Sequence, residues 1–141
     1  METLDAAALP AGALVLVDSA PIIYVLEAHA KLAPRFAPLF ERHARNEIEL
    51  AVTTVTIAEV LTGPLAAGEE ALARRYRTTL ETWRVVEFGS DLAESAARLR
   101  TTYRLKLPDA IQLASALAIN ADALVTHDRD FGRVHGLRIL G

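Results

Sequence analysis

An α/β domain on a mainly parallel central sheet is the fold class that the sequence predicts, on three observations. Five short apolar runs, Leu14–Val17, Glu49–Thr53, Arg84–Phe88, Ala123–Thr126 and Leu137–Leu140, lack clean polar alternation, as strands covered on both faces do. Most of the segments between them carry helical periodicity, the signature of βα alternation. The segment from Pro108 to Asn120 is apolar nearly all round, which predicts a buried helix.

Taken in order, residues 1–13 read as a loosely held N-terminal extension and residues 14–141 as one domain without repeats or linkers. After the first strand, Asp18 is placed to cap a helix opened by Ser19, Ala20 and Pro21. After the second, a short helix is expected to end at Gly63-Pro64, with Thr56 to Glu59 forming a Thr-x-x-Glu capping box. Leu72, Tyr76, Leu80 and Trp83 share one face of Glu70–Trp83, and Leu92, Ala96, Leu99 and Tyr103 one face of Asp91–Tyr103, so both segments predict amphipathic helices. The buried helix opens with Pro108 at its first position and Asp109 at its second.

A chain of 141 residues, 52% hydrophobic and 23% charged, with 7 Gly and 6 Pro, is excluded from the disordered, collagen-like and low-complexity classes. Its length suits one core burying roughly two-thirds of the unfolded surface. Ala6–Val17, the longest apolar stretch, is interrupted by Pro10 and Gly12 and is too short to span a bilayer. Glu2 and Asp5 stand where a secretory signal carries basic residues, and cysteine is absent, so a cytoplasmic protein without disulfides or thiolate metal sites is expected. The net charge of −3 argues against non-specific coating of nucleic acid, yet Leu72–Lys106 holds eight basic residues against four acidic ones, net +4. That segment reads either as solvated helix faces with i,i+4 pairs (Glu70–Arg74, Arg77–Glu81, Glu94–Arg98) or as a track for a phosphate backbone.

Four carboxylates stand out by position. Asp18 follows the first strand and Asp128 the fourth, and in open parallel sheets ligands bind beyond the carboxyl ends of the strands. Glu59 lies in the helix after the second strand, and Asp109 opens the most apolar helix, where an unpaired carboxylate has a raised pKa. Capping accounts for each of Asp18, Glu59 and Asp109 separately. Their spacing also permits convergence on one pocket, and converging anions need a counter-charge. Oxygen ligands suit Mg²⁺ or Mn²⁺, whereas His29, His43, His127 and His135 show no ligand spacing. The phosphate-binding Gly-x-x-x-x-Gly-Lys-Ser/Thr loop, the Gly-x-Gly-x-x-Gly turn and the Gly-x-Ser-x-Gly elbow are all absent.

Val17-Asp18-Ser19 followed by Ile23-Tyr24 and Leu26-Glu27, Thr56-Ile-Ala-Glu59-Val-Leu-Thr-Gly, Leu107-Pro-Asp109-Ala-Ile-Gln-Leu-Ala and Leu124-Val-Thr-His-Asp128-Arg-Asp-Phe131 occur in this order. On these motifs the chain resembles PIN-domain endoribonucleases, specifically the VapC-type toxins of toxin–antitoxin pairs. The resemblance implies a PIN-like three-layer α/β/α fold with a central, mainly parallel sheet of about four to five short strands. It further implies that Asp18, Glu59, Asp109 and Asp128 bind Mg²⁺ or Mn²⁺, with Ser19 and Thr126 as supports. His127 departs from the Asn common before the last acid of the quartet, and Asp130 is close enough to share the role of Asp128.

The implied activity is metal-dependent hydrolysis of RNA phosphodiesters, leaving a 5′ phosphate and a 3′ hydroxyl. Arg74, Arg75, Arg77, Arg98, Arg100 and Arg104 would follow the RNA backbone. The implied partner is a cognate antitoxin whose chain crosses the active cleft. It would dock near Ile22, Ile23, Leu26, Leu39 and Phe40, a surplus of apolar surface equally available to a homodimer. Two other classes compete: a non-catalytic α/β partner-binding module and a metal-dependent phosphatase of small molecules. A receiver-like module is disfavoured by the single Asp after Val17, Gly89 after Phe88, and the absence of Lys beyond Lys106.

Overall fold

Alternation along the first strand sets the layering. In β1 (Leu14–Val17), Val15 and Val17 join one apolar cluster while Leu14 and Leu16 join another, because successive side chains of a strand face opposite ways. The computed structural model describes residues 1–141. It pairs β1 in parallel with β2 (Glu49–Thr53) on one side and β4 (Ala123–Val125) on the other, and β3 (Arg84–Val86) and β5 (Arg138–Leu140) complete a five-stranded sheet of order β3-β2-β1-β4-β5. All pairings are parallel, and the architecture is the three-layer α/β/α fold.

The helices divide between the two faces. Ile22 of α1 (Ser19–Leu26), Phe36 and Leu39 of α2 (Ala33–Ala44), Val60 of α3 (Thr54–Ala66) and Leu80 of α4 (Glu70–Glu81) pack with Val15, Val17, Leu50 and Val52. Leu92 and Ala96 of α5 (Ser90–Tyr103) and Ala110, Ile111 and Leu113 of α6 (Leu107–Ala118) pack with Leu14, Leu16, Ala51 and Leu124. A fully buried Leu or Ile contributes about 1.5–3 kcal/mol, and these two layers cover both faces of the sheet. No helix is long and apolar enough to cross a membrane.

Several local expectations are corrected. The first thirteen residues are held firmly: Glu2 pairs with the edge of β5, its N–H donating to Ile139 O at 2.8 Å, and Arg42 Nη1 donates to Ala6 O at 2.8 Å and Leu9 O at 2.5 Å. Ala6 and Leu9 are buried beneath that guanidinium. Helix α3 runs past Gly63-Pro64 to Ala66, and Val60 and Pro64, one turn apart, are both buried, so packing outweighs the helix-breaking tendency of the proline. The cap of α3 is Thr53, whose Oγ1 accepts the Thr56 N–H at 3.0 Å, so the Thr56–Glu59 capping box does not form.

Helix α6 begins one residue early, with Lys106 as its cap, Pro108 at the second position and Asp109 at the third. Strand β3 stops at Val86, and beyond it Phe88 N–H turns to Thr54 Oγ1 at 3.2 Å. Ile22 and Leu39 have no exposed surface and belong to the core, which leaves Ile23, Leu26 and Phe40, all partly buried, from the apolar set expected to dock a partner. Of the expected helix pairs, Arg77–Glu81 and Arg98–Glu94 form.

Candidate active site

Strand order reverses at β1: the chain passes from β1 outward to β2 and β3, then returns to place β4 on the other flank of β1. Such a reversal opens a crevice at the carboxyl edge of the sheet. Asp18 leaves β1 there, tied to β4 by its N–H donating to Val125 O at 2.9 Å. A cleft of about 400 Å³ at this point is lined by Asp18, Ser19, Glu59, Lys106, Asp109, His127 and Asp128. The four carboxylates singled out in the sequence therefore meet in one place, carried by four different elements.

Asp18 both caps α1 and faces the cleft. Its Oδ1 accepts the Ser19 N–H at 2.8 Å and Gln112 Nε2 at 3.2 Å, and its Oδ2 accepts the Thr126 hydroxyl at 2.9 Å. Burial raises its pKa, the Ser19 amide and the Thr126 and Gln112 side chains pull it back, and Asp128 adds to the rise. The Thr126 hydroxyl also accepts the Asp128 N–H at 3.0 Å, so one buried side chain holds two acids.

Asp109 occupies the third position of α6, where an acidic side chain often folds back to the helix cap. Here its Oδ2 is buried without a hydrogen-bond partner. Burial, followed by the charges of Asp128 and Asp18, pushes the carboxyl up to about 7. Glu59 is raised by desolvation in the cleft and by Asp18, with the Ser19 hydroxyl offsetting part of the effect.

Carboxylate oxygens of Asp109, Asp128 and Asp130 lie within 4.8 Å of one another. Asp130 N–H donates to Asp128 Oδ1 at 2.9 Å, which fixes the turn carrying both. An all-oxygen donor set with one buried, unpaired oxygen fits a hard divalent cation. It does not suit a soft metal.

The sequence reading gives Gln112 and Thr53 no role and Thr56 only that of a helix cap. Gln112 Nε2 donates to Thr56 Oγ1 at 2.5 Å as well as to Asp18, and Thr53 Oγ1 lies 3.1 Å from Thr56 Oγ1, so a buried polar chain backs the first acid. The available signal was one amide in an apolar helix, three residues after Asp109 and on the same face. His127 leans on the opposite wall, its Nδ1 hydrogen-bonded at 2.9 Å to the Tyr24 hydroxyl and its ring edge-on to Tyr24 and Phe36. The six arginines expected on a backbone track do not line the cleft: Arg74, Arg75 and Arg77 lie on α4, Arg98 and Arg100 on α5, and Arg104 just after it.

Comparison with known proteins finds the same fold in solved structures. A toxin–antitoxin complex from Klebsiella pneumoniae contains a chain 27% identical, with a TM-score of 0.69 over 87% of this chain and 94% of that one. VapBC2 from Rickettsia felis, bound to a DNA fragment from its promoter, matches at 20% identity and a TM-score of 0.70, covering 89% and 96% of the two chains. VapC20 from Mycobacterium tuberculosis, described as a sarcin–ricin loop cleaving toxin, matches at 18% identity and a TM-score of 0.65, covering 84% and 92%. No curated protein matches the chain by sequence. The sequence model of the PIN domain matches residues 15–137, from the first strand to the brink of the last, and the chain belongs to the PIN domain family.

Proposed function

We propose that the protein is a Mg²⁺- or Mn²⁺-dependent endoribonuclease acting as the toxin of a toxin–antitoxin pair. The observation that carries this reading is that Asp18, Glu59, Asp109 and Asp128 line one cleft in which a buried Asp109 oxygen lacks a partner. Asp18 and Asp109 are the direct ligands in this reading, and Glu59 and Asp128 complete the set, with Asp130 beside them. A divalent cation there supplies a lowered water pKa, neutralisation of phosphate charge and stabilisation of the leaving oxygen. Thr126, Ser19 and Gln112 aim Asp18 by donating hydrogen bonds to it and offset part of the rise that burial imposes on its pKa.

RNA as substrate is supported by the sarcin–ricin loop cleavage named for the Mycobacterium tuberculosis neighbour and by the net charge of +4 over Leu72–Lys106. An antitoxin partner is supported by the complexes in which the other two neighbours were solved. The test is cleavage of labelled RNA with Mg²⁺ or Mn²⁺ and with EDTA, alongside nitrophenyl phosphate. Metal-dependent cutting of RNA is expected, without turnover of the small ester. Absence of cutting, or turnover of the small ester alone, overturns the reading.

A further inference from the structure

We infer that Lys106 is an exchangeable cation of the cleft, paired with Asp130 while the acidic oxygens are free and transferred to a substrate phosphate oxygen once a divalent ion occupies them. The inference rests on the nuclease reading for its second half only.

Lys106 is the only Lys or Arg among the residues lining the cleft. Its backbone is fixed. Arg104 takes the left-handed conformation (φ 55°) that ends α5, Leu105 is buried, and Lys106 O accepts the Ala110 N–H at 3.0 Å as α6 begins. Its side chain is 75% exposed, with Nζ 3.6 Å from Asp130 Oδ2. A fixed root with a swinging point charge is what exchange requires, and a flexible ammonium supplies it better than a planar guanidinium.

The partner it holds is contested. Asp130 shares its neighbourhood with Asp109 and Asp128, whose oxygens fit a divalent ion. An exposed lysine–carboxylate pair is weak, and a divalent ion held by these oxygens would both compete for Asp130 and repel the ammonium. A phosphate entering the cleft offers the released ammonium a new anion. The arginines cannot substitute at this point, since they lie on the flanks, and Arg77 and Arg98 are already paired with Glu81 and Glu94.

The experiment compares the full-length wild type with Lys106→Met and Lys106→Arg, each checked for folding by circular dichroism. Mn²⁺ affinity is measured by calorimetry, and KM and kcat on labelled single-stranded RNA are measured across a salt series at saturating Mn²⁺. The Met variant is expected to bind Mn²⁺ roughly three- to tenfold tighter. Its KM should rise by a similar factor, and the slope of log KM against log salt should fall by about 0.7, as for one lost phosphate contact on a single strand. The Arg variant should restore the slope. Unchanged or weaker Mn²⁺ binding by the Met variant overturns the exchange, and tighter binding with an unchanged salt slope overturns the transfer to phosphate. A wild type that does not cut RNA overturns the nuclease reading, and the calorimetry still decides between exchange and an idle surface pair.

Discussion

Gln112 donates from within the core to Asp18 Oδ1 at 3.2 Å, although 94 residues separate the two in sequence. Its other amide hydrogen goes to Thr56, and its Oε1 is buried without a partner. Such a side chain adds little to stability, since one of its polar atoms is already desolvated and unpaired. Gln112→Met, of similar volume, should therefore leave the melting temperature within about 3 °C of wild type. RNA cleavage should fall by roughly tenfold, because Asp18 loses a donor that orients it. Equal losses of stability and activity would make Gln112 a packing residue.

Asp109 yields a pH dependence with a definite sign. Its folded carboxyl titrates at about 7, with burial the main cause and the charges of Asp128 and Asp18 next. An unfolded aspartate titrates at about 3.9, so the folded state binds the proton more tightly. The cost to stability is absent below about pH 4, grows as pH rises towards 7, and is complete above it. In EDTA, Asp109→Asn should therefore melt about 3–8 °C above wild type at pH 8, and the gap should shrink towards pH 4. A gap that is constant with pH contradicts the assignment.

Five strands and the two amphipathic helices were legible in the sequence because both faces of the sheet are covered, which leaves short apolar runs in strands and one-sided patterns in helices. The strand-end positions of Asp18 and Asp128 were legible for the same reason. Helix α2 was not, since Pro38 sits inside it and a second proline, Pro34, lies in its first turn. Nor was the anchoring of the first residues, which depends on Arg42 reaching two carbonyls more than thirty residues away. The start of α6 was misread by one residue because Pro is accommodated at its second position as well as at its first. The link from Gln112 to Asp18 joins different elements, and no local pattern encodes it.

Removing charge from the site tests the acids directly. Asp18→Asn and Asp109→Asn should each lower RNA cleavage by at least about two orders of magnitude with the fold intact. Cleavage rates and circular dichroism should be recorded on the same samples. Near-normal cleavage by either folded variant removes that residue from the site.

Thr126 carries the last prediction, because its hydroxyl has two tasks. It donates to Asp18 Oδ2 at 2.9 Å and accepts the Asp128 N–H at 3.0 Å, so it sets the orientation of one acid and the backbone position of the other. Thr126→Val keeps the shape and loses both bonds, leaving a half-buried amide and carboxylate oxygen short of partners at a cost of about 1–3 kcal/mol. Cleavage should fall by roughly ten- to a hundredfold, and Thr126→Ser should recover most of it, since the hydroxyl and not the methyl is what the acids use. If Thr126 acts through Asp18, the Val substitution should cost little further activity in an Asp18→Asn background, as expected for groups that work as a unit. Full additivity of the two losses would mean that Thr126 acts through Asp128 or through the fold and not by aiming Asp18.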